Sequence, residues 1–173
     1  MISTDRLTLR PHTLDDLPAL TAMWSDAEVV RFLGGNPSTA EESWARLLRY
    51  AGHWAMNGFG WWAVIAHEED TYLGEMGFMD FKRTMIPAFG EAPEMGWAFN
   101  RAAQGQGYAL EAGQAALAWA KTRFGGARAV CMIAPDNAPS LKLAGKLGFS
   151  EFARTAYKNE PMLLLERLLS SQN

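Results

Sequence analysis

The sequence predicts a mixed α/β domain whose sheet combines antiparallel hairpins with helical crossovers. Two observations indicate this fold class. Aromatic and β-branched runs joined by turns and one longer connection occupy residues 60–100, which is typical of a strand meander. Segments with apolar residues at helical spacing precede this region and alternate with strand-like runs after it. The length of 173 residues, with 49% hydrophobic content, suits one domain with one sizeable core.

The first part of the chain predicts one strand and two helices. Residues 5–11 (DRLTLRP) alternate leucine with polar residues and end in proline, as a half-buried strand does. Thr13 is a candidate N-cap for the first helix, because acidic residues follow it and apolar residues then recur at helical spacing. Ser38 or Thr39, ahead of two glutamates, indicates the start of a second helix that ends before Gly58.

The rest of the chain predicts six strands and two helices. The strands are expected at 60–67, 72–81, 92–100, 127–135, 150–157 and 161–169. The helices are expected at 107–126, which closes on paired glycines, and at 137–148. The last run, PMLLLERLL, is either a final core strand or part of a dimer seam, so a homodimer is one expectation.

The composition argues against several classes of partner and ligand. The net charge is −3 and no basic run occurs, so we expect no nucleic-acid and no membrane partner, and favour a small-molecule or peptide one. No apolar leader begins the sequence and no apolar run approaches a membrane span, which predicts a cytoplasmic protein. The three histidines (His12, His53 and His67) and Cys131 lack metal-ligand spacing, so no metal is expected.

The segment NRAAQGQGYALEAG, residues 100–113, places Gly105 and Gly107 at the start of the third helix. A Rossmann fingerprint would need a third glycine where the chain has Leu110, and a Walker loop would need Gly-Lys-Ser/Thr. Both sequence requirements are unmet. The unpaired N–H groups at a helix N-terminus can still bind a pyrophosphate without a basic side chain. From this loop alone, an ordinary turn is the alternative.

Three motifs in register give the chain a family resemblance. Residues 104–109 (QGQGYA) match the Gln/Arg-x-x-Gly-x-Gly/Ala signature of the GNAT superfamily of acyl-CoA-dependent N-acetyltransferases. Their continuation GYALEA, together with TDRLTLRP at 4–11, NAPS at 137–140 and KLGF at 146–149, resembles the Rim-type branch, the ribosomal-protein N-terminal acetyltransferases and their small-molecule relatives. The resemblance covers residues 4 to about 168, and the predicted order of elements is similar to that of the superfamily.

The resemblance implies a fold and a cofactor site. Residues 1–173 would form a single acetyltransferase domain with a mostly antiparallel sheet of about seven strands and about four helices. The strands near 92–100 and 127–135 would splay apart and hold the pantetheine arm of acetyl-CoA, with the backbone of Trp97 and Ala98 binding the arm and the thioester carbonyl. The other cofactor-binding residues that it implies are Gln104, Gly105, Gln106, Gly107, Tyr108, Ala109 and Asn137.

The implied activity is transfer of an acetyl group from acetyl-CoA to a primary amine, of a peptide N-terminus or a small molecule, by direct attack in a ternary complex. Ser140 stands where the branch places a hydroxyl near the thioester sulfur, so it is the candidate general acid; the tyrosine that many members use is replaced here by Ala144. Tyr157 is a weaker candidate. Glu94, desolvated beside Trp97, is the candidate base. A non-catalytic acyl-CoA-binding module is the alternative function.

Each catalytic assignment has a structural alternative. Ser140 could simply hydrogen-bond the backbone in the first turn of its helix, and Glu94 could be a solvated strand residue. Glu75 is expected on the same face as Glu94, and with Glu91 and Asp80 the two glutamates could form an acidic mouth that attracts a cationic amine or merely a solvated surface. A buried structural role is expected for Cys131. Trp54, Phe59 or Trp61 could form a wall of the acceptor pocket.

Overall fold

The computed structural model describes residues 1–169, and its centre is one eight-stranded sheet. The strands are β1 (Ile2–Ser3), β2 (Leu7–Pro11), β3 (Trp61–Ala66), β4 (Thr71–Met79), β5 (Glu94–Phe99), β6 (Arg128–Ile133), β7 (Ser150–Tyr157) and β8 (Glu160–Leu168). They lie in the order β1-β2-β3-β4-β5-β6-β8-β7, and every neighbouring pair is antiparallel except β5 and β6. The predicted mixed, mostly antiparallel sheet is therefore confirmed.

Five α-helices pack against this sheet. They are α1 (Leu17–Trp24), α2 (Ala27–Val30), α3 (Ala40–Asn57), α4 (Tyr108–Phe124) and α5 (Ala138–Lys146). The seven predicted strands and four predicted helices are all present; β1 and α2 are additional. These two elements have two and four residues, too few for a hydrophobic period to show in the sequence.

The helix boundaries follow the capping residues. Thr39 accepts a hydrogen bond from the backbone N–H of Glu42, whose side chain returns to the N–H of Thr39, and this capping box starts α3. Gly58 ends α3 in the left-handed conformation, with φ of 69°, which costs a residue without Cβ little. Both boundaries agree with the sequence prediction.

Two helical layers cover the two faces of the sheet. The larger core cluster joins the sheet to the alanine stripe of α4, which includes Ala112, Ala116 and Ala120. A second cluster joins the other face to α1, α2 and α3 through residues such as Trp24 and Tyr50. In the described part of the chain, no helix combines the length and the apolar character needed to cross a bilayer.

The parallel strands β5 and β6 separate after a single register pair, Glu94 with Val130. The N–H of Val130 donates to the carbonyl of Pro93 at 3.1 Å, just before that pair. Beyond it the strands diverge, so the predicted splay is confirmed. The last predicted run forms β8, which lies between β6 and β7 with Leu163–Leu165 buried; it is a core strand, and the homodimer stays a prediction.

Candidate active site at the splay

Four of the predicted site residues line one cavity at the splay between β5 and β6. The cavity has a volume of about 330 Å³, and its walls include Glu94, Trp97, Asn137 and Ser140. Trp97 and Ser140 are also in direct contact, because the indole Nε1–H donates to the Ser140 hydroxyl at 3.2 Å. The structure thus brings both candidate catalytic residues, which are 46 positions apart in the sequence, to one cavity.

The cavity reaches both faces of the sheet. Side chains alternate between the faces of a strand, so Trp97 and Glu94, three residues apart on β5, point to opposite faces. Trp97 and Cys131 lie with the larger core cluster beneath α4 and α5, whereas Glu94 pairs with Met79 on the face that α1 to α3 cover. A donor on the α4 side and an acceptor on the α3 side can therefore meet at the splay.

The backbone of β5 faces the gap at alternate residues. Because the carbonyl of Pro93 accepts from β6, the amide groups two and four residues later, including those of Trp97, point toward β6 and the splay. The carbonyl of Ala98 faces β4 instead: a Cβ on Gly74 would lie 2.3 Å from it. Trp97 thus offers its backbone to the gap, and the role of Ala98 stays a prediction.

The glycine loop forms the N-terminus of α4. Gly105 and Gly107 have left-handed φ values of 77° and 83°, and Gly107 is the N-cap residue. The N–H groups of Leu110 and Glu111 donate back to the Gly107 carbonyl and make the first hydrogen bonds of the helix. The N–H groups of the residues before Leu110 take no part in intrahelical hydrogen bonds. No atom within 4 Å would oppose a Cβ on Gly105, which leaves open space beside the loop. These features fit a pyrophosphate.

Asn137 and Ser140 have different roles at the start of α5. The Asn137 side-chain oxygen accepts from the backbone N–H of Ser140 at 3.2 Å, so Asn137 is the N-cap residue. The Ser140 hydroxyl accepts from Trp97, which leaves its own hydrogen able to point elsewhere. The hydroxyl therefore need not cap the helix, and it lines the cavity with a donor to offer.

Glu94 is held by Arg83, a residue that the sequence reasoning missed. The guanidinium donates from Nε and Nη2 to the two carboxylate oxygens at 2.6 and 2.8 Å. Arg83 itself lies between the rings of Phe81 and Tyr157, 4.4 and 4.9 Å from their centroids. Burial raises the pKa of Glu94 above its ordinary value, and the hydrogen bonds and charge of Arg83 offset only part of that rise. The carboxylate is thus buried, paired and more basic than usual.

Comparison with known proteins agrees with this geometry. A family model described as an acetyltransferase (GNAT) domain matches residues 6–150. The chain belongs to the GNAT family. It is 30% identical over 149 residues to the uncharacterized N-acetyltransferase p20 of Bacillus licheniformis, which covers 86% of this chain and 81% of that protein. It is therefore a GNAT-family N-acetyltransferase, and GNAT enzymes use acyl-CoA as the donor.

Solved structures show the same fold. A GNAT-family acetyltransferase structure from Bordetella pertussis is 35% identical, with a TM-score of 0.84 over 96% of this chain and 98% of that chain. A spermidine N-acetyltransferase from Vibrio cholerae, solved with CoA and spermine, has a TM-score of 0.76 over 96% of this chain and 97% of that chain at 17% identity. At that identity the second likeness concerns the fold alone.

Two motifs that carried the GNAT resemblance touch each other. Glu111 of α4 accepts from the Thr4 hydroxyl at 2.6 Å and from Arg6 Nε at 2.7 Å. Arg6 Nη1 also donates to the carbonyl of Gln106 at 3.2 Å, and the guanidinium lies 4.5 Å from the centre of the Tyr108 ring. Burial acts to raise the pKa of Glu111, but the hydrogen bonds from Thr4 and Arg6 lower it overall. The N-terminal motif therefore braces the glycine loop.

The prediction that Glu75 contributes to an acidic mouth of the site is wrong. This carboxylate is completely buried and accepts hydrogen bonds from Trp24 Nε1 at 3.0 Å, Tyr50 at 2.5 Å and Tyr72 at 3.2 Å. The strand register places Glu75 on the same face as Glu94, as predicted, but it lies beneath Trp24, Tyr50 and Tyr72 and does not line the cavity. The strand alternation around Glu75 agrees with the prediction, but the sequence could not show that Trp24, Tyr50 and Tyr72 all donate to its carboxylate.

Three further residues near the site are Cys131, which has its expected structural role, His53 and Trp61. Cys131 borders the cavity but is buried, and burial raises the pKa of its thiol far above the ordinary value, so it is no nucleophile. His53 contacts the Phe59 carbonyl through Nδ1 at 2.6 Å and accepts from the Asp80 N–H at 2.9 Å, which fits a neutral ring with the hydrogen on Nδ1. Trp61 is the member of its predicted group that lines the cavity.

Proposed function

We propose that this GNAT enzyme transfers an acetyl group from acetyl-CoA to a primary amine, of a peptide N-terminus or a small molecule, by direct attack in a ternary complex. The observation that carries the proposal is the single cavity through the sheet, which Glu94, Trp97 and Ser140 share. Its opening to both faces gives donor and acceptor separate approaches. The three motifs in register support a place in the Rim-type branch.

The donor site uses the gap and the glycine loop. The backbone of Trp97 would hold the pantetheine arm and the thioester carbonyl, and Ala98, whose carbonyl faces β4, would lie beside the arm without a carbonyl hydrogen bond to it. The pyrophosphate would lie on the N–H groups at the start of α4, where the helix dipole favours negative charge. The loop residues proposed for it are Gln104, Gly105, Gln106, Gly107, Tyr108 and Ala109. Asn137 would add a polar contact from the start of α5.

Two side chains would move the protons of the reaction. The amine nitrogen attacks the thioester carbonyl carbon, the C–N bond forms and the C–S bond breaks. Glu94 takes the proton that the amine loses, directly or through water, since burial raises its pKa and makes it a stronger base than an ordinary glutamate. Ser140 gives its hydroxyl proton to the leaving thiolate and regains one from solvent. Amide and CoA are the products, and no acyl-enzyme is formed.

The test is thiol release from acetyl-CoA across a panel of amines. We expect CoA release that depends on the amine, and Ser140→Ala should lower kcat by about 10- to 100-fold with little change in acetyl-CoA affinity, as loss of a general acid does. Asp136→Asn, a neighbouring change in the loop before α5, is the control and should leave kcat close to that of the wild type.

The same assay distinguishes the alternatives. Acetyl-CoA binding without release on any amine would indicate the acyl-CoA-binding module. Normal turnover in Ser140→Ala would return Ser140 to a structural role and leave the leaving thiolate to be protonated by solvent.

A further inference from the structure

An arginine without an acidic partner stands on the acceptor side of the cavity. Arg46 of α3 lines the cavity, and its guanidinium lies 3.4 Å from the centre of the Trp24 ring. Its Nε is buried with no hydrogen-bond partner. Among residues 1–169, no carboxylate comes within ion-pair distance of this side chain. Tyr50, which donates to the buried Glu75 carboxylate, lies between that carboxylate and Arg46, so the guanidinium has no carboxylate of the described residues in direct contact.

Arg83, a second arginine of the same cavity, shows that a carboxylate is a suitable partner for a guanidinium in this place. Arg83 uses the edge formed by Nε and Nη2 to bind both oxygens of the Glu94 carboxylate. The planar guanidinium of Arg46 is stacked on Trp24, which fixes its plane; its Nε is enclosed, so Nη1 and Nη2 are the donors left for a ligand. Such an orientation suits two parallel hydrogen bonds to a carboxylate.

A further donor lies in the same wall. Trp61 lines the cavity, and its Nε1–H is buried without a hydrogen-bond partner. Its ring is fixed by close contact with Gly96, whose place a Cβ would fill at 2.3 Å, and by Tyr50 with ring centroids 5.6 Å apart. Arg46 and Trp61 therefore line one cavity, although Arg46 Nε and Trp61 Nε1 are themselves enclosed in its wall. A ligand in the cavity would meet the ring of Trp61 and the terminal N–H groups of Arg46.

The charge balance on this side favours an anionic group on the acceptor. Arg83 pairs with Glu94, and Glu75 lies outside the cavity wall, with His12 Nε2 3.4 Å from its carboxylate. Lys158 and Glu160, at the β7–β8 turn, offset each other, so Arg46 supplies the unbalanced charge. Positive charge repels a polyamine and attracts a molecule that carries a carboxylate as well as its amine.

We propose that the acceptor is an apolar α-amino acid, whose carboxylate binds Arg46 while its amine faces the splay. Phe32, Phe81 and Met132 give the remaining walls an apolar surface that suits the side chain of such an amino acid. This inference rests on the proposed function, because it names the acceptor of the same reaction.

Matched acceptors test it. Leucine and leucinamide differ in the carboxylate, and we expect kcat/KM to be at least tenfold higher for leucine. The amide has the less basic amine, so intrinsic reactivity at neutral pH works against this preference, which then reports recognition of the carboxylate. Arg46→Gln should raise the KM for leucine at least tenfold and leave the KM for acetyl-CoA and the rate with leucinamide unchanged. Arg49→Gln, an exposed arginine on the same helix, is the control and should match the wild type.

A binding measurement keeps the inference testable if a variant does not fold or no amine reacts. With CoA present, N-acetylleucine should raise the Tm of the wild-type protein and N-acetylleucinamide should not. Equal kcat/KM for leucine and leucinamide, a preference for spermidine, or equal stabilisation by the two products would overturn the inference while acetyl transfer stands. Absence of transfer to every amine would overturn the proposed function, and the binding comparison would still decide the carboxylate site.

Discussion

At the scale of single residues, burial and pairing set the chemistry of Glu94. Its carboxylate is 7% exposed and receives both hydrogen bonds from Arg83. Desolvation favours the protonated acid, while the nearby cation favours the carboxylate, and the balance leaves the pKa raised. A change of Arg83 alone should therefore change the pKa of Glu94, so substitutions of Arg83 test the role of Glu94.

Removal of the Arg83 charge should shift the pH profile of the reaction. In Arg83→Met the side chain still fills the space between Phe81 and Tyr157, but the effect that lowers the pKa of Glu94 is lost. The pKa should therefore rise further. Because the base acts as carboxylate, the acidic limb of kcat/KM against pH should move to higher pH by the same amount.

The conservative variant separates charge from packing in that experiment. Arg83→Lys keeps a cation beside Glu94, so its acidic limb should stay closer to that of the wild type. An unchanged profile in a folded Arg83→Met protein would mean that Glu94 and Arg83 only shape the cavity wall and that another group accepts the amine proton.

At the scale of elements, the short loop before α4 depends on two left-handed glycines. The conformation of Gly107 turns the chain so that the first N–H groups of the 17-residue helix face open space. A Cβ at this position would lie 3.5 Å from Arg6 Nη2, an ordinary contact, so the obstacle to substitution is the backbone conformation and the intended ligand.

Gly107→Asp should abolish acetyl-CoA binding, measured by titration calorimetry, with the fold retained. The new carboxylate would stand where the pyrophosphate is proposed and repel it. Gly126→Asp is the matched control, because Gly126 has a similar φ of 75°, has no atom within 4 Å of a Cβ and follows the opposite end of α4. The two variants should lose comparable stability, and only Gly107→Asp should lose the ligand. Unchanged affinity in Gly107→Asp would leave the loop as an ordinary turn.

At the scale of the whole molecule, the sequence predicted what depends on local pattern. The Thr39 capping box, the strand periods and the splay strands follow from neighbouring residues and from the family motifs, and the structure has them. The contacts that shape the acceptor side were not predictable in this way. Arg83 lies in an irregular connection without a period, and Arg46 meets Trp24 only because α1 and α3 pack on one face. Such pairs are fixed by tertiary packing and leave no spacing in the sequence.

At the same scale, Glu111 connects the start of the chain to α4 and the glycine loop. Thr4 and Arg6 precede it by more than 100 residues, and both donate to its carboxylate. Glu111→Gln should lower the free energy of unfolding at neutral pH by about 1 kcal/mol, a value kept small because Arg6 is half exposed. It should also weaken acetyl-CoA binding, since Arg6 steadies the Gln106 carbonyl.

The pH dependence identifies the source of that loss. The pKa of Glu111 is lowered in the folded protein, so its stabilisation is complete above the ordinary glutamate pKa of about 4.3 and disappears as pH falls through the folded value. Urea unfolding should therefore show the wild type and Glu111→Gln separated at pH 7 and converging in acid. Glu151→Gln removes an exposed pair three residues apart on β7, which joins no distant segments, and should leave both stability and acetyl-CoA affinity nearly unchanged. A constant difference between wild type and Glu111→Gln at every pH would assign the loss to side-chain shape rather than to the charge that links the N-terminal strand to α4.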